Sequence, residues 1–325
     1  MKFCVYTRSF LEDEYLSCFI NHYIKLGFDK IIILKSDGII YNLPENYSTI
    51  VEIHYVENRG NLLLPQYDYL IKNCDCDWVL VIDIDELLLL NNSYKNINDY
   101  VEQKTINNKI NAFYFRWGMI EKFDITNNNN FNYILNNYKI FQNPHIKTMF
   151  KKIDFISIWH PHYTNLNNLH IYFENNILNQ NDALHEINNN SYKENILIHL
   201  HTRSIHNLII KAFNTHFIEK TISNKNQFIH FINELDSNLN DNDILNKFIE
   251  YIGMKSKLPY YHISSGLVDT SNYDIVKYNY DIVDSNIEKK SVLNFLHINN
   301  IDESKYVYFI NKLSSKIIND RTFII

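Results

Sequence analysis

Glycine and proline are scarce in this chain, at 6 and 5 of 325 residues. That excludes collagen-like repeats and any long Pro/Gly/Ser linker. Arginine is scarcer still relative to its role: only five of the 31 basic residues are Arg, and the net charge is −6, which argues against a general nucleic-acid binder. No window approaches 18 continuous apolar residues, so no membrane span is expected. Four cysteines are too few for a disulfide scaffold, and Cys74-Asp75-Cys76 has no zinc-knuckle spacing. All four read as reduced thiols, consistent with a reducing compartment. The opening Met1–Arg8 is too short an apolar run for a signal peptide, so a cytoplasmic location is expected. Asn and Ile are very abundant, as in an AT-rich coding sequence from a cell or virus. That bias weakens any reading of Asn-rich loops and makes the sequons at Asn46, Asn91 and Asn189 chance products.

What is present is a globular composition, 46% apolar and 21% charged, in a chain long enough for one large domain or two. The first half alternates strand and helix. Phe3–Thr7 reads as a strand, Glu12–Leu26 as an amphipathic helix closed by Gly27, and Lys30–Leu34 and Ile50–Val56 as strands. Pro65 opens a helix running to about Asn73, and Trp78–Asp83 is a fourth strand. This β-α-β order predicts an α/β fold, with a mostly parallel sheet flanked by helices and ligands bound beyond the carboxyl ends of the strands. Further strands are expected at Asn111–Trp117, Thr148–Ile153, Ser157–His160 and Ile196–His201, with a helix over Arg203–Lys220. From about Gln227 helical segments dominate. The expected division is residues 1–222 as one domain and 223–325 as a helical extension packed on it.

The most informative stretch is Trp78-Val79-Leu80-Val81-Ile82-Asp83-Ile84-Asp85-Glu86. A branched apolar run buried on both faces ends in two carboxylates, which strand alternation places one pleat apart on one side. Crowded carboxylates repel and lose hydration, and a divalent cation cancels both penalties. Hard oxygen ligands suit Mg²⁺ or Mn²⁺, which keep positions free for diphosphate oxygens.

Four local patterns, in order, carry a resemblance to a known family. They are Asn21-His22-Tyr23-Ile24-Lys25-Leu26-Gly27-Phe28-Asp29-Lys30-Ile31; Gln66 and Tyr69 with Trp78 and Asp83-Ile84-Asp85-Glu86-Leu87; Trp117-Gly118 with Phe123; and His199-Leu200-His201-Thr202-Arg203-Ser204 with Lys211. Together they resemble the family 2-like glycosyltransferases of the GT-A type, close to the family 92 branch, over roughly residues 1 to 215. The chain departs from that family's Arg-Asn-Glu after the first strand, having Thr7-Arg8-Ser9-Phe10. It departs again in the turn after the second strand, Lys35-Ser36-Asp37-Gly38. Both departures fall where the donor nucleotide would lie.

The resemblance implies a GT-A (Rossmann-like) fold. It implies a metal-dependent, inverting hexosyltransferase that moves a sugar from a nucleotide-sugar, a UDP-sugar, to an acceptor hydroxyl on a glycan or glycoprotein. Asp83, Asp85 and His199 would hold Mn²⁺ or Mg²⁺. Thr7, Lys35, Asp37, Gln66 and Arg203 would contact the donor together with the two aspartates. Lys147 reads either as a phosphate contact or as a solvated surface residue. An inverting reaction needs a base, for which Glu121 is the candidate, with Asp124 nearby. His160-Pro161-His162 with His199 and His201 offers an alternative four-histidine site. Two other functions stay open: a non-catalytic sugar- or nucleotide-binding module on a degenerate transferase fold, and an Asp-dependent phosphohydrolase.

Overall fold

A computed structural model describes residues 1–57, 63–120, 129–160, 163–167, 169–173, 176–179, 195–200, 204–213, 225–235 and 267–319. Strands β1 (Phe3–Ser9), β2 (Lys30–Lys35), β3 (Val51–Tyr55) and β4 (Trp78–Val81) alternate with helices α1 (Asp13–Lys25) and α2 (Leu64–Asn73). Then follow β5 (Glu86–Leu89), helix α3 (Ile97–Thr105), β6 (Ala112–Ile120), helix α4 (Phe131–Asn137) and β7 (Ile140–Lys151). A separate hairpin, β8 (Phe155–His160) and β9 (Tyr163–Leu166), precedes β10 (His170–Phe173), β11 (Asn176–Asn179) and β12 (Ile196–His199).

The molecule is mixed α/β. Its large sheet runs β11-β10-β6-β7-β4-β1-β2-β3, with β12 joining β6 to β5. Pairings β1–β2, β1–β4, β2–β3, β6–β10 and β6–β12 are parallel; antiparallel β7 sits between β4 and β6. The chain leaves β1 towards β2 and β3, then crosses back over β1 to reach β4. The strand order therefore reverses between β1 and β4, which opens a crevice at their carboxyl ends.

Both faces of the sheet are covered, and the alternation of the strands sorts the residues. Phe3, Val5, Ile31, Ile33, Trp78 and Leu80 pack on the α1 side with Phe19, Ile20 and Tyr23. Cys4, Tyr6, Ile32, Leu34, Val79 and Val81 pack on the α2 side with Leu63, Tyr67 and Ile71. Each such side chain, fully buried, contributes about 1.5–3 kcal/mol. Gly27 takes φ +89° just beyond α1, the left-handed conformation that ends a helix at little cost to glycine. His22 is buried on α1. Its Nε2–H donates to the Leu88 carbonyl at 2.8 Å, and its other nitrogen bonds the Tyr280 hydroxyl. Burial pushes its pKa down to about 3, so it is a neutral clamp between α1, β5 and a late loop.

Residues on both sides of 222 share one helical core. Ile209 and Phe213 of the helix Ile205–Phe213 pack with Phe228 and Ile232 of Lys225–Glu234, Phe295 of Ser285–Ile298 and Phe309 of Glu303–Asn319. Tyr273, Tyr278, Ile282 and Val283 instead belong to the core on the α1 face of the sheet. The expected helix over Arg203–Lys220 begins at Ile205; residues 214–220 lie outside the described ones. Short strands β5 and β9 to β11 and helix α4 were not expected, because each is too short or too rich in Asn to show a period.

The reading of all four cysteines as reduced is corrected: Cys4 and Cys76 form a disulfide, with Cα atoms 6.1 Å apart, while Cys18 and Cys74 are free. The partners are 72 residues apart in sequence and meet because β1 and β4 are adjacent. Among the described residues no helix is long and apolar enough to cross a membrane.

Candidate functional site

The strand ending in the two aspartates stops at Val81, before either of them. Residues 82–85 turn, and the chain reverses into β5, which pairs with β12 rather than with β4. Asp83 and Asp85 therefore face different partners instead of standing one pleat apart on a strand. The turn is held by the Asp83 N–H donating to Glu86 Oε2 at 2.8 Å and by the Glu86 N–H donating to the Asp83 carbonyl at 3.1 Å.

Asp83 stands at the β1/β4 crevice between two cations. Arg8 Nε at the end of β1 donates to its Oδ1 at 3.0 Å, and Lys147 Nζ on β7 donates to its Oδ2 at 2.8 Å. Lys147 also lies 3.4 Å from Glu86 Oε2 and is only 1% exposed, so the surface reading of this lysine is corrected. Burial alone would raise the Asp83 pKa, but Lys147 and Arg8 outweigh it and hold the carboxyl well below its ordinary value. Glu86, fully buried, is pushed up to about 7 by burial and by Asp83, against the opposing pull of Lys147.

Asp85 faces His199 at the end of β12. The His199 Nε2 lies 3.4 Å from Asp85 Oδ2, and the Leu200 N–H donates to the Asp85 carbonyl at 2.7 Å. Antiparallel register sets this up by placing His199 opposite Glu86. Burial lowers the His199 pKa, and the Asp85 carboxylate more than reverses that. The Trp117 ring packs on His199 with centroids 4.2 Å apart and stacks on His145 at 4.9 Å. Lys147 lies 5.9 Å from the Trp117 ring centroid.

The chemistry of these donors bears directly on a metal. A carboxylate oxygen and an imidazole nitrogen 3.4 Å apart are spaced as two ligands of one divalent cation are, since bonds of roughly 2.1 Å at right angles put ligands about 3 Å apart. Asp85 and His199 fit that role. Asp83 has one cation on each carboxylate oxygen, Arg8 on Oδ1 and Lys147 on Oδ2.

Thr7 is buried at the end of β1, one residue before Arg8. Lys35 is fully buried, bonded to Asp13 Oδ1 at 2.5 Å and to both oxygens of Asp37 at 2.7 Å. Asp37 in turn accepts from the Leu11 N–H at 2.8 Å, where the backbone takes φ +55°. Lys35 and Asp37 thus shape the loop that follows β1. Gln66 is half-buried on α2, next to Tyr67, whose phenol is pushed up by burial and by Asp83 and Glu86, against the Arg8 charge. Glu121, Asp124, Arg203, His201 and His162 lie outside the described residues, as do the side chains of His160 and Lys211. The backbone nevertheless brings their neighbours together: β6 ends at Ile120, and Met119 is the register partner of His199. Arg8 and Tyr67 were not singled out as site residues. Arg8 carried a signal, as a charged residue ending a buried strand.

No protein-family model matches the chain, and no curated protein matches it. Among solved structures it is similar to S. aureus TarS residues 1–349, with 11% identity over 79% of this chain and 83% of that one and a TM-score of 0.37. The same TarS segment in complex with UDP gives the same values. Its complex with UDP-GlcNAc gives 10% identity, coverage of 80% and 82%, and a TM-score of 0.36. A likeness of this size assigns neither family nor substrate.

Proposed function

We propose that the chain is a glycosyltransferase that moves a sugar from a nucleotide-sugar, a UDP-sugar, to an acceptor hydroxyl on a glycan or protein, with inversion. The observation that carries this reading is the charge cluster at the β1/β4 crevice: Arg8 and Lys147 on Asp83, beside the Asp85–His199 pair. A crevice where strand order reverses is where open α/β sheets bind ligands, and a buried lysine beside a half-buried arginine there suits an anionic diphosphate. Asp85 and His199 would hold Mn²⁺ or Mg²⁺, which when bound supplies Lewis-acid stabilisation of the leaving diphosphate. Asp83 keeps Arg8 and Lys147 oriented before the donor arrives, so little reorganisation is needed. Trp117, half-buried between His199 and His145, fixes the imidazole ring that would hold the metal. Glu121, which directly follows β6, remains the proposed base, and Arg203 a proposed diphosphate contact.

The test is calorimetry of UDP and a panel of UDP-sugars with Mn²⁺ and with chelator, followed by donor hydrolysis and transfer assays. Tight binding in Mn²⁺, much weaker binding in chelator, and turnover support the reading. Binding without turnover on any donor would favour the non-catalytic module. Absence of any nucleotide binding would overturn both. The phosphohydrolase reading has no support at β1, which ends in Arg8 and Ser9 where that chemistry needs a nucleophilic carboxylate.

A further inference from the structure

Three of the four cysteines meet at the opposite edge of the sheet from this site. Cys4 is the second residue of β1, and Cys74 and Cys76 lie between α2 and β4. The sulfur atoms of Cys4, Cys74 and Cys76 all lie within 4.8 Å of one another. A covalent brace between β1 and β4 needs two sulfurs; the third calls for its own account. Cys74 ends α2 in an extended conformation, with φ −75° and ψ 152°. In an extended segment alternate residues face the same way, so Cys74 and Cys76 turn together toward Cys4 while Asp75 turns out to Lys2.

We propose that in the reduced protein Cys4, Cys74 and Cys76 form a three-thiolate site for a soft d¹⁰ metal ion of the zinc class. Zinc–sulfur bonds of roughly 2.3 Å in tetrahedral geometry put sulfurs about 3.8 Å apart, so three sulfurs already within 4.8 Å of one another need only the Cys4–Cys76 bond opened to reach that spacing. Thiolates select such ions over the hard cations that suit carboxylates. Cys4 is buried, and Cys74 and Cys76 are half-buried, so an ion can enter from solvent and keep its fourth position for water. The Tyr6 hydroxyl neighbours Cys74 and donates to the Leu70 carbonyl at 3.3 Å. Cys74 donates its thiol hydrogen to the Ile71 carbonyl at 3.1 Å, a proton released when the metal binds. The Cys4–Cys76 disulfide and the metal site are alternative states of the same atoms. A phosphine reductant converts one to the other: it takes oxygen from water to become the phosphine oxide, and each sulfur takes one proton. Binding the ion then releases three protons.

The experiment is titration of the phosphine-reduced full chain with Cd²⁺, followed by thiolate-to-cadmium charge-transfer absorption, which carboxylate and imidazole ligands do not produce. One equivalent is expected to bind, protect Cys4, Cys74 and Cys76 from alkylation in peptide mapping, and raise the melting temperature of the reduced protein. Cys74→Ser keeps the disulfide pair and tests the third ligand alone. It is expected to weaken Cd²⁺ binding beyond the roughly 10–100-fold that loss of an outer-sphere partner costs. Equal affinity in Cys74→Ser, no stoichiometric charge-transfer band in the reduced folded protein, or a disulfide that resists reduction until the chain unfolds would each overturn the proposal.

Discussion

Lys147 Nζ lies 2.8 Å from Asp83 Oδ2, across 64 residues of sequence, because antiparallel β7 runs beside β4. The lysine is buried and serves Glu86 as well. Removing one partner of such a cluster leaves the others without their counter-charge. Lys147→Met is therefore expected to cost on the order of 3 kcal/mol, a value held down by the partial exposure of Asp83 and by Arg8, which remains on it. Adding Asp83→Asn to Lys147→Met should recover part of the loss. Urea unfolding of the two single variants and the double variant measures the coupling, and strictly additive losses would show that the pair is not an energetic unit.

Asp85→Asn separates chemistry from packing. The side chain faces His199, 3.4 Å from its Nε2. The variant is expected to melt within a few degrees of the parent yet lose the Mn²⁺-dependent part of UDP binding. His199→Ala should lose the same part. Calorimetry with and without chelator distinguishes these outcomes from a general loss of nucleotide affinity, which would place both residues outside any metal shell.

Glu14 predicts a pH dependence of stability. It is 3% exposed on α1, accepts from Asn207 Nδ2 at 2.5 Å, and is pushed up to about 7, chiefly by burial. The folded pKa lies above the unfolded value of 4.5, so the folded state holds the proton longer as pH rises. Its contribution is complete below about pH 4.5 and is lost progressively up to about pH 7, on the order of 3 kcal/mol in all. Glu14→Gln should flatten this slope and be more stable than the parent at pH 8. Denaturant melts across that range check it; an unchanged slope would assign the titration elsewhere.

Gly118 on β6 has no room for a side chain. A Cβ there would meet Ile196 Cδ1 at 2.3 Å and Ile140 Cγ2 at 2.8 Å, so these side chains of β12 and β7 would have to give way. Gly118→Ala is expected to destabilise by about 1–3 kcal/mol. Because β12 carries His199, it should also weaken nucleotide binding. Thermal melts and calorimetry on the same sample check both effects, and an unaffected melting temperature would contradict the packing.

Some of this was legible in the sequence because it is local. The branched run at Trp78–Val81, the α1 stripe with Gly27 beyond it, and Pro65 at the start of α2 follow from strand alternation, helical period and backbone preference. So did the placing of Asp83 and Asp85 at the ligand edge of the sheet. Their orientation was not legible. Two aspartates separated by one residue share a side only if the strand continues, and here it ends at Val81 and turns.

The chain by itself therefore determined strands β1 to β4 and where the acidic residues leave β4, since those depend on neighbours within a few positions. Only the tertiary structure decided what meets them. Arg8 reaches Asp83 because β1 lies beside β4, Lys147 because β7 runs antiparallel to β4, and His199 because β12 pairs with β5. Cys4 joins Cys74 and Cys76 by the same adjacency of β1 and β4, which the spacing Cys74-Asp75-Cys76 does not encode. Sheet order is a long-range outcome of burying both faces of the strands at once, and each of these partnerships is fixed by it.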